Sequence, residues 1–324
     1  MKYRGACVAL LFVTLAGLAL FAANPVPKLE SLQPVMPGVW FRQGDPDRFG
    51  HCNNVVIEMK DYLIVVDANF PSGARALMDD IKKVSSKPVK YVFDTHHHGD
   101  HSYGNSLWTK AGATTLAYKG VAEELKRYEP ANWRRTVAGR PDVAALNLSG
   151  PEAPKQTFDH SPFVIEDSTR RVEFHFFGWA HTRGDGFVYL PKEHLLATGD
   201  AVVNGPYNGT GDANIGNWPS VVRQALKLSV TRVLPGHGAP GGHEVLVGQE
   251  KFLRELYAAV KTAIAGGKKL ADLVTMQGRV PTNPKIKLSA AVQPWVGKYF
   301  AYQVKDTFEE ISQRKPHGEI TGGK

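Results

Sequence analysis

Four of the chain's 12 histidines fall within residues 95–102, which read Thr-His-His-His-Gly-Asp-His-Ser. His96, His98, Asp100 and His101 form the pattern H-x-H-x-D-H. On one tight loop, His96 and His98 can point the same way and share a cation, while Asp100 and His101 project toward an adjacent position. Imidazole with some carboxylate suits zinc, and also iron or manganese. A solvated polar loop explains a run of three histidines, but not a Gly-Asp-His that follows directly after a buried-strand signal. Three later residues carry the same signal singly. His181 lies in Ala180-His-Thr-Arg-Gly-Asp185, Asp200 closes Leu195-Leu-Ala-Thr-Gly-Asp200, and His237 lies in Leu234-Pro-Gly-His-Gly238. Each alone reads as a core histidine or a turn residue. Together they share one place, the carboxyl end of a strand, where open α/β sheets put their ligands.

The strands and helices that must hold these residues follow from periodicity. Asn54–Met59 and Tyr62–Asp67 are apolar runs split by Lys60-Asp61, a hairpin signature. Ser72–Val84 has helical spacing, with Ser72 as its N-cap, and Val89–Phe93 is a strand running into the histidine loop. A strand near Thr114–Ala117 and a helix from Lys119 come next. Residues 128–162 are rich in Pro and Gly without steady periodicity and read as an insertion. Strand signals return at Val172–Phe177, Gly186–Leu190, His194–Thr198 and Thr231–Leu234, with a helix over Trp218–Leu228. Helices are expected over Glu244–Ala265 and Ser289–Ser312, the latter with an apolar stripe that reads as core packing. Asn24–Pro37 is Pro-rich and extended. The class is α/β, with helices covering the outer faces of sheet.

Composition sets the limits. The 324 residues are 43% hydrophobic and 22% charged, which excludes disorder and coiled coil. Net charge is +8, but Lys82-Lys83, Arg134-Arg135 and Lys268-Lys269 are scattered pairs, so no nucleic-acid partner is expected. Of two cysteines, Cys7 falls in an apolar leader and Cys52 reads as a small core residue, so no disulfide scaffold exists. The basic start Met1–Gly5 and the uncharged stretch Ala6–Ala23 make residues 1–23 a secretory signal, or an N-terminal anchor if uncleaved. The expected location is periplasmic or secreted, the expected partner a small-molecule substrate, with no stable membrane partner unless the leader is retained.

From about Val39 to His243 the motifs, in their order, resemble those of the metallo-β-lactamase superfamily. The resemblance implies a four-layer αββα sandwich over residues 24–250, with a helical C-terminal extension, residues 251–324, packed on it. It implies that His96, His98 and His181 hold one metal, that Asp100, His101 and His237 hold a second, and that Asp200 bridges them. Two Zn2+ are expected, iron or manganese being the alternatives. Asp67 matches a position near the metals without being a ligand. Asp94 and Asp185 are expected to orient imidazoles from behind, and His97 to point away, toward solvent or against the ligand shell. The implied activity is hydrolysis by a metal-activated water, with Asp100 taking part in proton transfer. An aspartate at position 200 is similar to glyoxalase II, lactonases, arylesterase-like enzymes and tRNA-processing nucleases, whereas export also suits β-lactams. The substrate expected is therefore an acyl compound: an ester, lactone, thioester or β-lactam. A mononuclear iron persulfide-type dioxygenase and a phosphodiesterase or nuclease are the alternatives. Tyr207, Asn208, Asn214 and Trp218, on or beside the Gly-rich loop Asn204–Asn217, could reach substrate.

Overall fold

Two sheets position the candidate residues. In the computed structural model, which describes residues 28–320, the first sheet follows chain order. It runs β1 (Leu32–Met36), β2 (Val39–Arg42), β3 (Asn54–Glu58), β4 (Leu63–Val66), β5 (Val89–Phe93), β6 (Thr114–Tyr118) and β7 (Gln156–Phe158). β1 to β4 form an antiparallel meander, and β4 to β7 pair in parallel. Pro34 sits on the edge strand β1, where its missing N–H breaks no ladder. The second sheet holds β8 (Phe163–Glu166), β9 (Arg171–Phe176), β10 (Gly186–Leu190), β11 (Leu195–Ala197) and β12 (Arg232–Leu234), with β12 at one edge and β8 at the other.

Period-two alternation decides which face goes where. Val55, Ile57, Ile64 and Val66 face the second sheet, meeting Phe174, Val188 and Leu195 in the central core. Their neighbours Val56, Leu63 and Val65 face the other way, under Ala74, Leu77 and Ile81 of α1 (Pro71–Val84). The next helices are α2 (Gly99–Ser102), α3 (Asn105–Lys110), α4 (Lys119–Arg127), α5 (Glu129–Gly139) and α6 (Pro141–Ala144). Over the outer face of the second sheet lie α7 (Trp218–Ala225) and α8 (His243–Ala265). The chain continues through α9 (Leu270–Leu273), the hairpin β13 (Thr275–Gln277) and β14 (Val280–Thr282), α10 (Phe300–Gln313) and α11 (His317–Ile320). Phe252 and Leu256 of α8 share one cluster with Phe300 and Val304 of α10 and with Phe187 of the sheet. The result is the αββα sandwich with its helical C-terminal region. α8 runs unbroken through residue 250, so the division expected there falls inside a helix.

Three local expectations differ from what forms. Ser72 does not cap α1: Pro71 takes the first helical position, where its lack of an N–H costs nothing, and Phe70 flanks it. Residues 128–162 are not irregular, because α5, α6 and the sheet strand β7 lie within them; α5 buries only Glu129 and Trp133, too few to show as a stripe. Ser289–Ser312 splits into a 3₁₀ turn at Ala290–Trp295 and α10. Pro294 removes a donor, and Gly297 approaches Pro206 so closely that a Cβ would lie 2.4 Å from its ring. The leader at residues 1–23 lies outside the described residues. Among the described residues, no helix is long and apolar enough to cross a membrane.

The Ser72 hydroxyl donates to Asp142 at 2.7 Å, and Arg140 donates to the same carboxylate, tying α6 to α1. Burial alone would raise the Asp142 carboxyl, but the bonds from Arg140 and Ser72 outweigh it and bring the group from an ordinary 3.8 down to about 2. A lowered carboxylate stabilises the fold above its unfolded value and loses that contribution as pH falls toward 2. Asp142→Asn should therefore cost about 1 kcal/mol at neutral pH, allowing for solvent screening, and the difference should shrink as pH falls below about 4 and vanish only at about pH 2. Denaturant titrations of both proteins across that range test this; a pH-independent difference would refute it.

Candidate metal centre

Each side chain singled out by the motifs stands past the carboxyl end of a strand. Residues 95–101 follow β5, His181 follows β9, Asp200 follows β11 and His237 follows β12. Backbone space at two of these ends is used up: a Cβ on Gly236 would lie 2.1 Å from Asp200 Oδ1, so only glycine fits there. Asn53 donates to the carbonyls of Pro235 and Gly238, both at 2.8 Å, and holds the His237 turn against β3.

The loops bring seven donors together. His98 Nδ1 lies 3.2 Å from His96 Nε2 and 3.0 Å from His181 Nε2. Asp100 Oδ2 lies 3.1 Å from His237 Nε2 and 3.5 Å from His101 Nε2. Asp200 stands between the two sets, with Oδ1 3.4 Å from His101 Nε2 and Oδ2 3.5 Å and 3.8 Å from the Nε2 atoms of His237 and His181. All but His98 and Asp100, which are partly open, are buried.

Partners on the far side of each ring fix which nitrogen carries the proton. His181 Nδ1 lies 2.9 Å from the Gly209 carbonyl, which can only accept, so Nε2 presents its lone pair inward. His98 Nε2 lies 2.9 Å from Asp212, and His101 Nδ1 lies 2.8 Å from Asp67, so in the neutral rings that a metal requires His98 Nδ1 and His101 Nε2 face inward as acceptors. His101 Nε2 and Asp200 Oδ1 are buried without a hydrogen-bond partner. Converging acceptors this close repel one another unless a cation lies among them, and their nitrogen and oxygen chemistry fits a divalent metal. Burial, with the neighbouring imidazoles, holds His96 and His181 well below the ordinary histidine range, so both stay neutral and able to ligate. Burial acts the same way on His98, but Asp212 outweighs it and lifts that group to about 9. Burial would raise Asp100, yet His101 and His237 outweigh it and hold it low, while Asp200 is raised chiefly by burial.

Several expectations are corrected here. Asp94 orients no imidazole; it is buried and accepts from Asn105 Nδ2 at 2.7 Å. Asp185 instead accepts from the backbone of Ala180 and Thr182 and from the Thr182 hydroxyl, closing the His181 turn. His97 lies against the ligand set and not in solvent: it is fully buried, stacked on Tyr128, with its ring centroid 4.6 Å from that of His98 and Nε2 3.6 Å from Asp212. Of the residues named for substrate contact, Tyr207 lines the cleft, whereas Trp218 is core and donates to the Ala201 carbonyl. Asn208 is buried against Gln249, and the Asn214 side chain accepts from the Asn217 backbone. Cys52 lies beside Asp67 and His101, but burial pushes its thiol up to about 12, so it stays protonated. Asp212, Lys298 and Tyr299 went unmarked by any motif; an acid in a Gly-rich loop was the one signal for Asp212. Replacing His97 with Ala should leave metal content unchanged while costing about 1–3 kcal/mol of stability. Elemental analysis decides it, since loss of a metal equivalent would make His97 a ligand.

Beside Asp100 and His237 a cavity of about 260 Å³ opens between Phe70, Tyr207, Lys298 and Tyr299. Lys298 Nζ pairs with Asp47 at 2.5 Å across its mouth, and both side chains are more than half exposed.

A sandwich with ligand-bearing strand ends around an acceptor-lined cleft defines a metal-dependent hydrolase class, and comparison with known proteins places the chain within it. Residues 47–237 match the Metallo-beta-lactamase superfamily, to which this chain belongs. It is 25% identical to a metallo-beta-lactamase type 2 of Bacillus sp. (strain 170) over 204 residues, covering 60% of this chain and 70% of that protein. It is 25% identical over 190 residues to a hydroxyacylglutathione hydrolase of Pelagibacter ubique, covering 56% and 64% of the two. In fold it is similar to the inverting sec-alkylsulfatase Pisa1 from Pseudomonas sp., at TM-score 0.66 and 18% identity over 86% of this chain and 50% of that one.

Proposed function

We propose that the chain is a dinuclear zinc hydrolase that cleaves a small acyl compound: an ester, lactone, thioester or β-lactam. The observation that carries this reading is the pair of acceptor sets joined by the carboxylate of Asp200, within 3.4–3.8 Å of imidazoles on both sides. His96, His98 and His181 would hold one cation, Asp100, His101 and His237 the other, and Asp200 both. Two cations held there would supply an acidified water and Lewis-acid polarisation of the substrate oxygen. The chain's own residues do the rest. Asp100, partly open to the cleft beside His237, is placed to hold or pass a proton. Phe70, Tyr207 and Tyr299 wall the substrate and exclude bulk water. The hydrolase names of two relatives support an acyl or amide bond as the target. The leader sequence supports export and a small-molecule substrate.

Metal content per chain, with rates on lactone, thioester, β-lactam and phosphodiester substrates, tests the reading. Nearly two zincs and a preferred acyl substrate are expected. One iron without hydrolysis would replace it with the dioxygenase, and a phosphodiester preference with the nuclease.

The exposed Lys298–Asp47 pair is held weakly, so Lys298 can exchange Asp47 for an anionic group on the substrate. Lys298→Ala should raise KM about fivefold for carboxylate-bearing substrates with kcat unchanged. Equal KM values for both proteins would count against that contact.

A further inference from the structure

The loop after Asp200 reaches the metal centre at two atoms, and the C-terminal helices hold it there. Gln303 donates to the Asn208 carbonyl at 2.8 Å, and the Thr210 hydroxyl donates to Asp306 at 2.6 Å. His317 Nδ1 lies 2.9 Å from the Gly211 carbonyl, while its Nε2 lies 3.2 Å from Glu309 and 3.3 Å from Asp306. The Gly318 N–H donates to the Ala213 carbonyl at 2.9 Å. Buried Glu310 accepts from the backbone N–H groups of Ile215 and Gly216, at 2.9 Å and 2.7 Å. Between these anchors the Gly209 carbonyl meets His181 Nδ1 and the Asp212 carboxylate meets His98 Nε2, each at 2.9 Å. All the anchoring side chains on α10 and α11 lie beyond residue 237, outside the stretch that matches the superfamily.

We infer that α10 and α11 are a positioning element for the three-histidine metal position. Through loop 208–217 they fix the proton-bearing side of two of its three imidazoles and so set the affinity for the cation without touching it. The physical ground is that ring orientation and lone-pair direction come from the partner on the far nitrogen, and that loss of such a partner costs about 10–100-fold in metal affinity. The other position takes its orientation elsewhere: His101 from Asp67 at the end of β4, and His237 from the turn held by Asn53. Disturbing α10 or α11 should therefore weaken one position and spare the other. The inference rests on reading His96, His98 and His181 as ligands.

The test is Zn2+ binding by the full chain, stripped of metal and titrated against a chromophoric chelator, with Co2+ spectra to tell the two positions apart. His317→Ala, Thr210→Val and Asp212→Ala should each weaken one position about 10–100-fold and leave the other within twofold of the parent. Asp212→Asn, which keeps an accepting oxygen, should recover part of the loss. Arg223→Ala, at an exposed ion pair between α7 and α8, should change neither. Thermal unfolding of each stripped variant shows whether it is folded. Folded variants with two unchanged affinities would overturn the positioning role and leave the metal reading intact. Equal weakening of both positions would reduce the helices to general support, which also overturns it. A parent chain that takes up no zinc would sink both readings together.

Discussion

Replacing His181 or His98 with alanine should remove bound metal and activity together. Both rings supply inward lone pairs to the same small volume, and their other nitrogens are committed to Gly209 and Asp212. His97, the nearest spare imidazole, is packed between Tyr128 and Asp212. Loss of one of three ligands leaves a two-imidazole site that holds zinc weakly, and loss of a cation removes several kcal/mol of charge stabilisation. Activity should fall by about 10³-fold or more. Purified variants assayed for metal and rate decide the matter; full activity with unchanged metal would refute the ligand assignment.

Asp200→Ala should reach further, lowering occupancy of both positions at once. Its Oδ1 faces His101, its Oδ2 lies between His237 of the same set and His181 of the other, and Oδ1 has no hydrogen-bond partner to explain its burial otherwise. A carboxylate placed in this way offsets charge repulsion between two cations, so its removal leaves each set one ligand short. The expected stoichiometry is below one metal per chain, with activity down by a factor comparable to the histidine variants. Loss of a single equivalent, with the other held at parental affinity, would show that Asp200 serves one position only. Asp200→Asn separates charge from shape, because the amide keeps one acceptor oxygen in place.

Much of the site was legible because its donors sit where strands end, and apolar runs mark strand ends in sequence. The alternation of Val55, Val56 and Ile57, and of Leu63 to Val66, places β3 and β4 and hence the turn carrying Asp67. What escaped depended on contacts between distant segments. Alternation set His97 apart from the ligands, but no local pattern says that it packs beside His98 under Tyr128 and Asp212. Asp94 was expected behind an imidazole; it instead meets Asn105 of α3. Asp212 lies in a loop of small residues whose conformation is imposed by Asp306, Glu310 and His317, about a hundred positions later. The break before α10 had its signs in Pro294 and Gly297, yet the apolar stripe continues across it and outweighed them. Short helices such as α6, with one buried residue, leave too little periodicity to detect.

The hold of residues 303–318 on the loop after Asp200 also orders events in time. These residues are synthesised after His96, His98, Asp100, His101, His181, Asp200 and His237. A nascent chain thus owns every candidate donor before it owns the frame that aims two of them. On the inference that α10 and α11 aim these rings, the three-histidine position would reach its full affinity only in the finished polypeptide.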